Sequence, residues 1–103
     1  QGENDGLFWL VQTLSKTAAY EKILQWKDSI ESVSLPDEKK SYLLYQLAFA
    51  AYKRNDFSLA KTIVNELMKS MAGEYWSEPA MKLKQDIQFI ESISEEFPVS
   101  AQP

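Results

Sequence analysis

Residues 42–52 read YLLYQLAFAAY, an apolar and aromatic run interrupted only by Gln46, and the polar corner Asn55-Asp56 leads from it to the stripe Phe57, Ala60, Ile63, Val64 and Leu67. Spacings of three and four in the second stripe mark one face of an amphipathic helix. The first run is apolar on almost every side, so as a helix it must be covered on almost every side. It is therefore either the central layer of an all-helical stack or a half-covered helix with a functional face. The two segments together read as a helical hairpin.

The same spacings recur outward from this pair and predict five helices. Asp5 can cap a first helix carrying Leu7, Leu10, Val11 and Leu14 on one side. Thr17-Ala18-Ala19 is the tight corner before a second helix with Tyr20, Ile23, Trp26, Ile30 and Val33. Ser34 and Asp37 approximate a capping box, with Pro36 in the first turn of a third helix that runs to about Arg54. Asp56 caps a fourth helix that ends near Met71, before a loop around Gly73. Ser77-Glu78-Pro79 opens a fifth, with Leu83, Ile87, Ile90 and Ile93, which Phe97-Pro98 stops. No strand-like alternation accompanies these signals, and three glycines and four prolines in the whole chain leave few breaks. The expected class is all-α, built of antiparallel hairpins in one domain over residues 1–103. Within it, residues 7–33 form a first hairpin, 35–71 a second, 77–97 a capping helix and 98–103 a frayed tail.

Composition narrows the function classes. A chain of 103 residues with 45% hydrophobic content can bury one continuous core, and 13% aromatic residues set it apart from disordered segments. The net charge of −4 is spread evenly, about −2 in each half, so no basic stripe exists for a phosphate backbone and no nucleic acid is expected as partner. There is no cysteine, hence no disulfide and no thiolate chemistry. The apolar run of residues 42–52 falls well short of the ~20 residues that span a bilayer, so no transmembrane segment is expected. The start Gln1-Gly2-Glu3 carries neither an initiator Met nor a leader pattern, which suits a processed protein or an excised segment and leaves cytoplasmic, periplasmic and secreted origins open.

Leu44, Leu47, Ala48, Asn55, Phe57, Ala60, Val64 and Leu67 have the spacing of a tetratricopeptide repeat, and the chain resembles that family. It departs from the pattern at Ala51, where an aromatic is usual, at Leu67, where Ala is frequent, and at Ala72, where Pro is frequent. A weaker copy lies upstream at Leu7, Leu10, Val11, Leu14, Tyr20, Ile23 and Ile30, with Lys27 in place of an apolar residue. The resemblance implies a short right-handed TPR-like superhelix of two hairpins closed by a capping helix. In such a stack the first helix of each pair lines a concave face that binds peptides or partner proteins. By position, that face would receive Tyr42, Tyr45, Phe49, Tyr52 and Lys53, together with Phe8, Gln12 and Lys16. Independently of the family, spacings of three, four and three place the four rings on one side of any α-helix. Leu43, Leu44, Leu47, Ala48 and Ala51 fill the remaining arc and must be core.

Two uses compete for the aromatic row. Tyrosine is a favoured contact residue, since its rigid ring offers area and its hydroxyl tolerates a wet rim, while Lys53 and Arg54 could draw an acidic group to it. Against this, an aromatic stripe at helical spacing is commonly core, and the first or fifth helix could cover it. Trp9 and Trp26 fall within apolar helices and are expected in the core or at its margin, whereas Trp76 beside Tyr75 is a surface candidate. Catalysis has little to work with: no His, no Cys, no glycine-rich phosphate loop and no nucleophile elbow. The pairs Asp28/Glu31 and Glu91/Glu95 read as solvated charge. The sequence thus predicts no enzyme, catalytic residue, metal or cofactor. It predicts a protein–protein interaction module, an adaptor or scaffold that binds a peptide or partner protein. The rivals are a structural or self-associating subdomain of a larger helical assembly, a homo-oligomer included, and a small-molecule sensor with an apolar cavity.

Overall fold

The computed structural model describes the backbone of residues 2–71 and 77–96 and the side chains of residues 6–69 and 78–93. These residues form helices joined by short corners, without strands, in six elements: α1 (Gly2–Lys16), α2 (Tyr20–Gln25), α3 (Lys27–Ser32), α4 (Asp37–Lys53), α5 (Phe57–Met71) and α6 (Ser77–Glu96). The all-α class therefore holds, with one helix more than the five expected. The extra element arises because the single helix expected over Tyr20–Val33 breaks at Trp26. There the backbone sits at φ −96°, ψ 15°, between the helical and extended basins, and the Trp26 amide bonds to the Ile23 carbonyl at 3.0 Å in a tightened turn. Ile23 and Ile30, on either side of the break, are both fully buried, and α2 and α3 both pack against α4.

Helix α4 is the centre of the molecule and packs against α1, α2, α3, α5 and α6. Its residues Leu43, Leu44, Leu47, Ala48, Ala50 and Ala51 are buried, including all five assigned to the core from the sequence. From α5 come Ala60, Ile63, Val64 and Leu67, and from α6 Ala80, Leu83 and Ile87, all in the same buried cluster. Small residues at Ala48, Ala51 and Ala60 let the backbones of this cluster approach closely, and longer side chains fill the space beside them. Ser41, buried within this apolar setting, keeps its hydroxyl satisfied on the Asp37 carbonyl.

Two of the interhelical corners solve the same problem. Ala18 lies in the left-handed region at φ 57°, and the amides of Ala19 and Ala18 return to Leu14 and Ser15 carbonyls at 2.8 and 3.1 Å. Asn55 repeats this at φ 67°, with Asp56 and Asn55 amides on Ala51 and Tyr52 carbonyls at 2.8 and 3.0 Å. Each is the Schellman arrangement, which uses the orphan carbonyls of a helix end to reverse the chain. Asp56 then caps α5 as expected, its carboxylate accepting the Leu59 amide at 3.2 Å.

Three local expectations fail. Asp5 lies inside α1 rather than at its cap, since the helix already runs from Gly2. The cap of α4 is Pro36, with extended backbone and no side-chain cap bond, rather than Ser34. Trp9 and Trp26, expected in the core or at its margin, are 58% and 41% exposed, so neither is core. Trp9 is two residues from both Leu7 and Val11, on the opposite side of α1 from that stripe, and Trp26 sits at the break. Gly73, Trp76, Phe97-Pro98 and the tail 98–103 lie outside the described residues.

Asn tolerates the left-handed basin better than Ala, which meets its own Cβ there. Ala18→Gly should therefore stabilise the fold by about 1 kcal/mol, with no change of structure, as measured by urea unfolding against the wild-type chain.

Candidate functional site

The expected row on α4 is neither sealed nor free. Tyr42, Tyr45, Phe49 and Tyr52 are all half-buried and packed against the core from its edge. Tyr45 and Phe49, one helical turn apart, lie nearly parallel, with ring centroids 6.1 Å apart and an interplanar angle of 22°. Phe49 also meets Tyr20 edge-on at 5.7 Å and Tyr52 at 6.1 Å, and Tyr52 continues to Phe57 at 5.9 Å. Lys53 holds its ammonium 5.5 Å from the Phe49 centroid, over the ring face, where the ring's negative potential attracts a cation.

A groove of about 540 Å³ opens between α4 and α6. Tyr45 and Phe49 form the α4 side. On the α6 side, Pro79 and the buried Leu83 supply apolar surface, and Glu78, Lys82 and Asp86 line it with charge. Repeats of three and four residues along α6 turn this set toward α4, and the ion pair of Lys61 with Glu91, at 3.0 Å, ties α6 to α5 on its other flank. A smaller depression of about 230 Å³ lies between α1 and α4, lined by Phe8, Glu38, Lys39 and Tyr42. Here Phe8 meets Tyr42 at 5.2 Å and Trp9 at 5.3 Å, with the Lys39 ammonium 5.3 Å from the Phe8 centroid.

Of the site residues expected from sequence, Phe8 and Tyr42 come together at one end of the row, and Tyr45, Phe49, Tyr52 and Lys53 at the other. Gln12 is half-buried and Lys16 exposed, and neither lines either depression. Arg54 is exposed and lines a separate hollow with Ala18–Lys22. Sequence reasoning missed the α6 side altogether, because a helix read as a cap was assigned only a core face. The signal was there in Glu78, Lys82 and Asp86, spaced by four on the edge beside Leu83. Lys40 was also missed: its ammonium donates to the Ile30, Glu31 and Val33 carbonyls at 2.9, 2.8 and 2.7 Å and so closes the open end of α3.

The carboxylate pairs stay apart from the groove. Glu31 pairs with Lys27 at 3.3 Å, the Asp28 side chain is fully exposed and Glu91 serves Lys61, while the Glu95 side chain lies outside the described residues. Among the described residues no His, Cys, Asp and Glu cluster could hold a metal ion, and no helix is long and apolar enough to cross a membrane. No protein-family model, curated protein or solved structure matches the chain.

Burial pushes the phenols of Tyr42 and Tyr45 above their ordinary value. A hydrogen bond with Ser15 moderates the effect at Tyr42, and the Asp86 charge adds to it at Tyr45. Burial draws Lys40 below its ordinary value, offset in part by Glu66 and Glu31. The signs oppose each other at alkaline pH. A phenol whose folded pKa is raised contributes stability that is complete below the unfolded value of 10.0 and is lost as pH rises through the folded one. Lys40, lowered from 10.5, gains for the fold as pH approaches that value. The Lys40 gain is complete above its unfolded value of 10.5, so beyond that pH only the loss from the two tyrosines remains and stability should fall. Replacing both with Phe should flatten that fall, as measured by melting temperature against pH, with ultraviolet phenolate absorbance following the titration.

Proposed function

We propose that this chain is a non-enzymatic interaction module that docks a peptide segment of a partner protein on the α4 face, in the groove shared with α6. The stacked, half-buried pair Tyr45 and Phe49, on the α4 side of the groove, supports this reading. An aromatic floor with a charged rim is the composition of a contact patch: rigid rings contribute area, and polar groups at the edge fix orientation. The two helix pairs, α1 with α2–α3 and α4 with α5, would form a short tetratricopeptide-like superhelix. Its concave side would carry α1, α4 and α6, with α6 contributing a wall as well as a cap. The groove is small, so affinity for one isolated peptide would be modest.

Random extended peptides selected on the intact chain should bind wild-type protein and lose at least about tenfold with Tyr45→Ser plus Tyr52→Ser, the loss of a contact hot spot. Circular dichroism would check that the variant remains folded. A variant that unfolds, or that binds as well as wild type, counts against the groove.

A specific feature favours a second reading, a structural or self-associating subdomain. Met81, Phe89 and Ile93 are 47%, 65% and 40% exposed, and their spacings of eight and four put them on one side of α6. Large apolar side chains gathered this way mark a surface that another helix covers. If that covering helix belongs to a second copy, light scattering should give a mass that rises with concentration and returns to the monomer value in Phe89→Glu.

A further inference from the structure

One edge of α6 carries Glu78, Lys82, Asp86, Phe89 and Ile93, each three or four residues from the next and so on one line along the helix. Asp86 is half-buried and the other four are exposed, Phe89 by 65%. The opposite faces of α6 are occupied. Ala80, Leu83 and Ile87 are in the core, and Glu91 pairs with Lys61 of α5 at 3.0 Å. Among the described residues no ion pair joins Lys82 to Glu78 or Asp86, although each stands one turn away from it. The edge thus alternates acid, base, acid and ends in two large apolar side chains.

We infer that this edge is self-complementary and joins two copies of the chain, their α6 helices antiparallel about a two-fold axis that sets Lys82 of each copy against Asp86 of the other. The inference rests on the self-associating reading above and adds the surface, the orientation and the register. In a two-fold contact one patch meets itself, so each pairing is made twice. Parallel helices would set Glu78, Lys82 and Asp86 each against its own copy, three like-charge contacts. Once Lys82 faces Asp86, the opposite running of the helices brings Phe89, three residues beyond Asp86, to Pro79, three residues before Lys82, and ring and proline shield each other from water. Pairing Lys82 with Glu78 instead would carry Phe89 past Ser77, where α6 begins. The two ion pairs set orientation and add little affinity, since they are partly exposed, while Phe89 supplies the apolar area. Three turns a side, about 15 Å by helix rise, bury less than the about 1,600 Å² of a standard interface, so the dimer is weak and forms at high concentration.

The test is sedimentation equilibrium on the intact chain with two charge reversals, Lys82→Glu and Asp86→Lys. Wild type should give a mass that rises with concentration toward the dimer. Each reversal places like charges at both pairings and should raise the dissociation constant at least about tenfold. An equimolar mixture of the two variants should restore association, because the two reversed edges are complementary to each other. Association left unchanged by both single reversals, or a mixture no better than either variant alone, would overturn the antiparallel pairing while leaving self-association intact. A wild-type chain that stays monomeric at every concentration would overturn both. Neither position is in the core, and circular dichroism melts matching wild type would exclude misfolding as the cause of a loss. Lys82 is fully outside the buried cluster, so Lys82→Glu tests the pairing by itself where Asp86→Lys lowers the melt.

Discussion

The rest of the molecule depends on covering α4. A helix that presents leucines and alanines around most of its circumference cannot face water, and each Leu withdrawn from water contributes about 2 kcal/mol. Leu43, Leu44 and Leu47 are buried to 3% exposure or less, and this is possible because five other helices converge on the one that carries them. The alanines decide how closely they converge. Ala48, Ala50 and Ala51 on α4 and Ala60 on α5 are all fully buried, so small residues stand on more than one side of α4 where its neighbours pack. A larger side chain at any of these positions would push a neighbouring helix away from α4 and disturb the packing around it.

Convergence of many short helices creates many helix ends, each with carbonyls and amides that lack partners within the helix. The chain meets this need locally. At two corners the backbone folds onto its own last turn, at Asp56 a side chain serves the next helix, and at the end of α3 a lysine from α4 accepts the task. Lys40 is the most consequential of these, because its three carbonyl contacts join α3 to the centre of the fold while Glu66 and Glu31 hold its charge in a partly buried position. Surface pairs such as Lys27 with Glu31 add little beside it.

These features differ in how far the sequence disclosed them. Contiguous runs with clear spacing, in α4 and α5, located both helices and the buried arc, since periodicity reports directly which side of a helix faces the core. The corner at Asn55-Asp56 was legible from residue types that suit the left-handed basin and the cap. The break at Trp26 was not, because no Gly or Pro accompanies it and a tightened turn leaves the periodicity of Ile23 and Ile30 intact. Ser34 offered a sound capping pattern, but α4 begins one residue after Pro36, which holds the cap position with extended backbone. In the candidate site, the rings of α4 could be placed on one side from spacing alone. Their partners on α6 could not, since which edge of that helix approaches α4 is a tertiary choice.

The aromatic row is suited to the boundary it occupies. Four leucines in its place would bury comparable area but leave a greasy strip along the edge of the core, whereas three of the four rings here end in hydroxyls. Phe49, the one without, sits in the middle and is surrounded by Tyr20, Tyr45 and Tyr52, with the Lys53 ammonium above it. The phenols of Tyr42 and Tyr45 are moved away from neutrality, so near neutral pH they remain hydrogen-bond donors and do not act as bases. A groove with stacked rings on one side and charged groups on the other offers area, orientation and charge to a ligand.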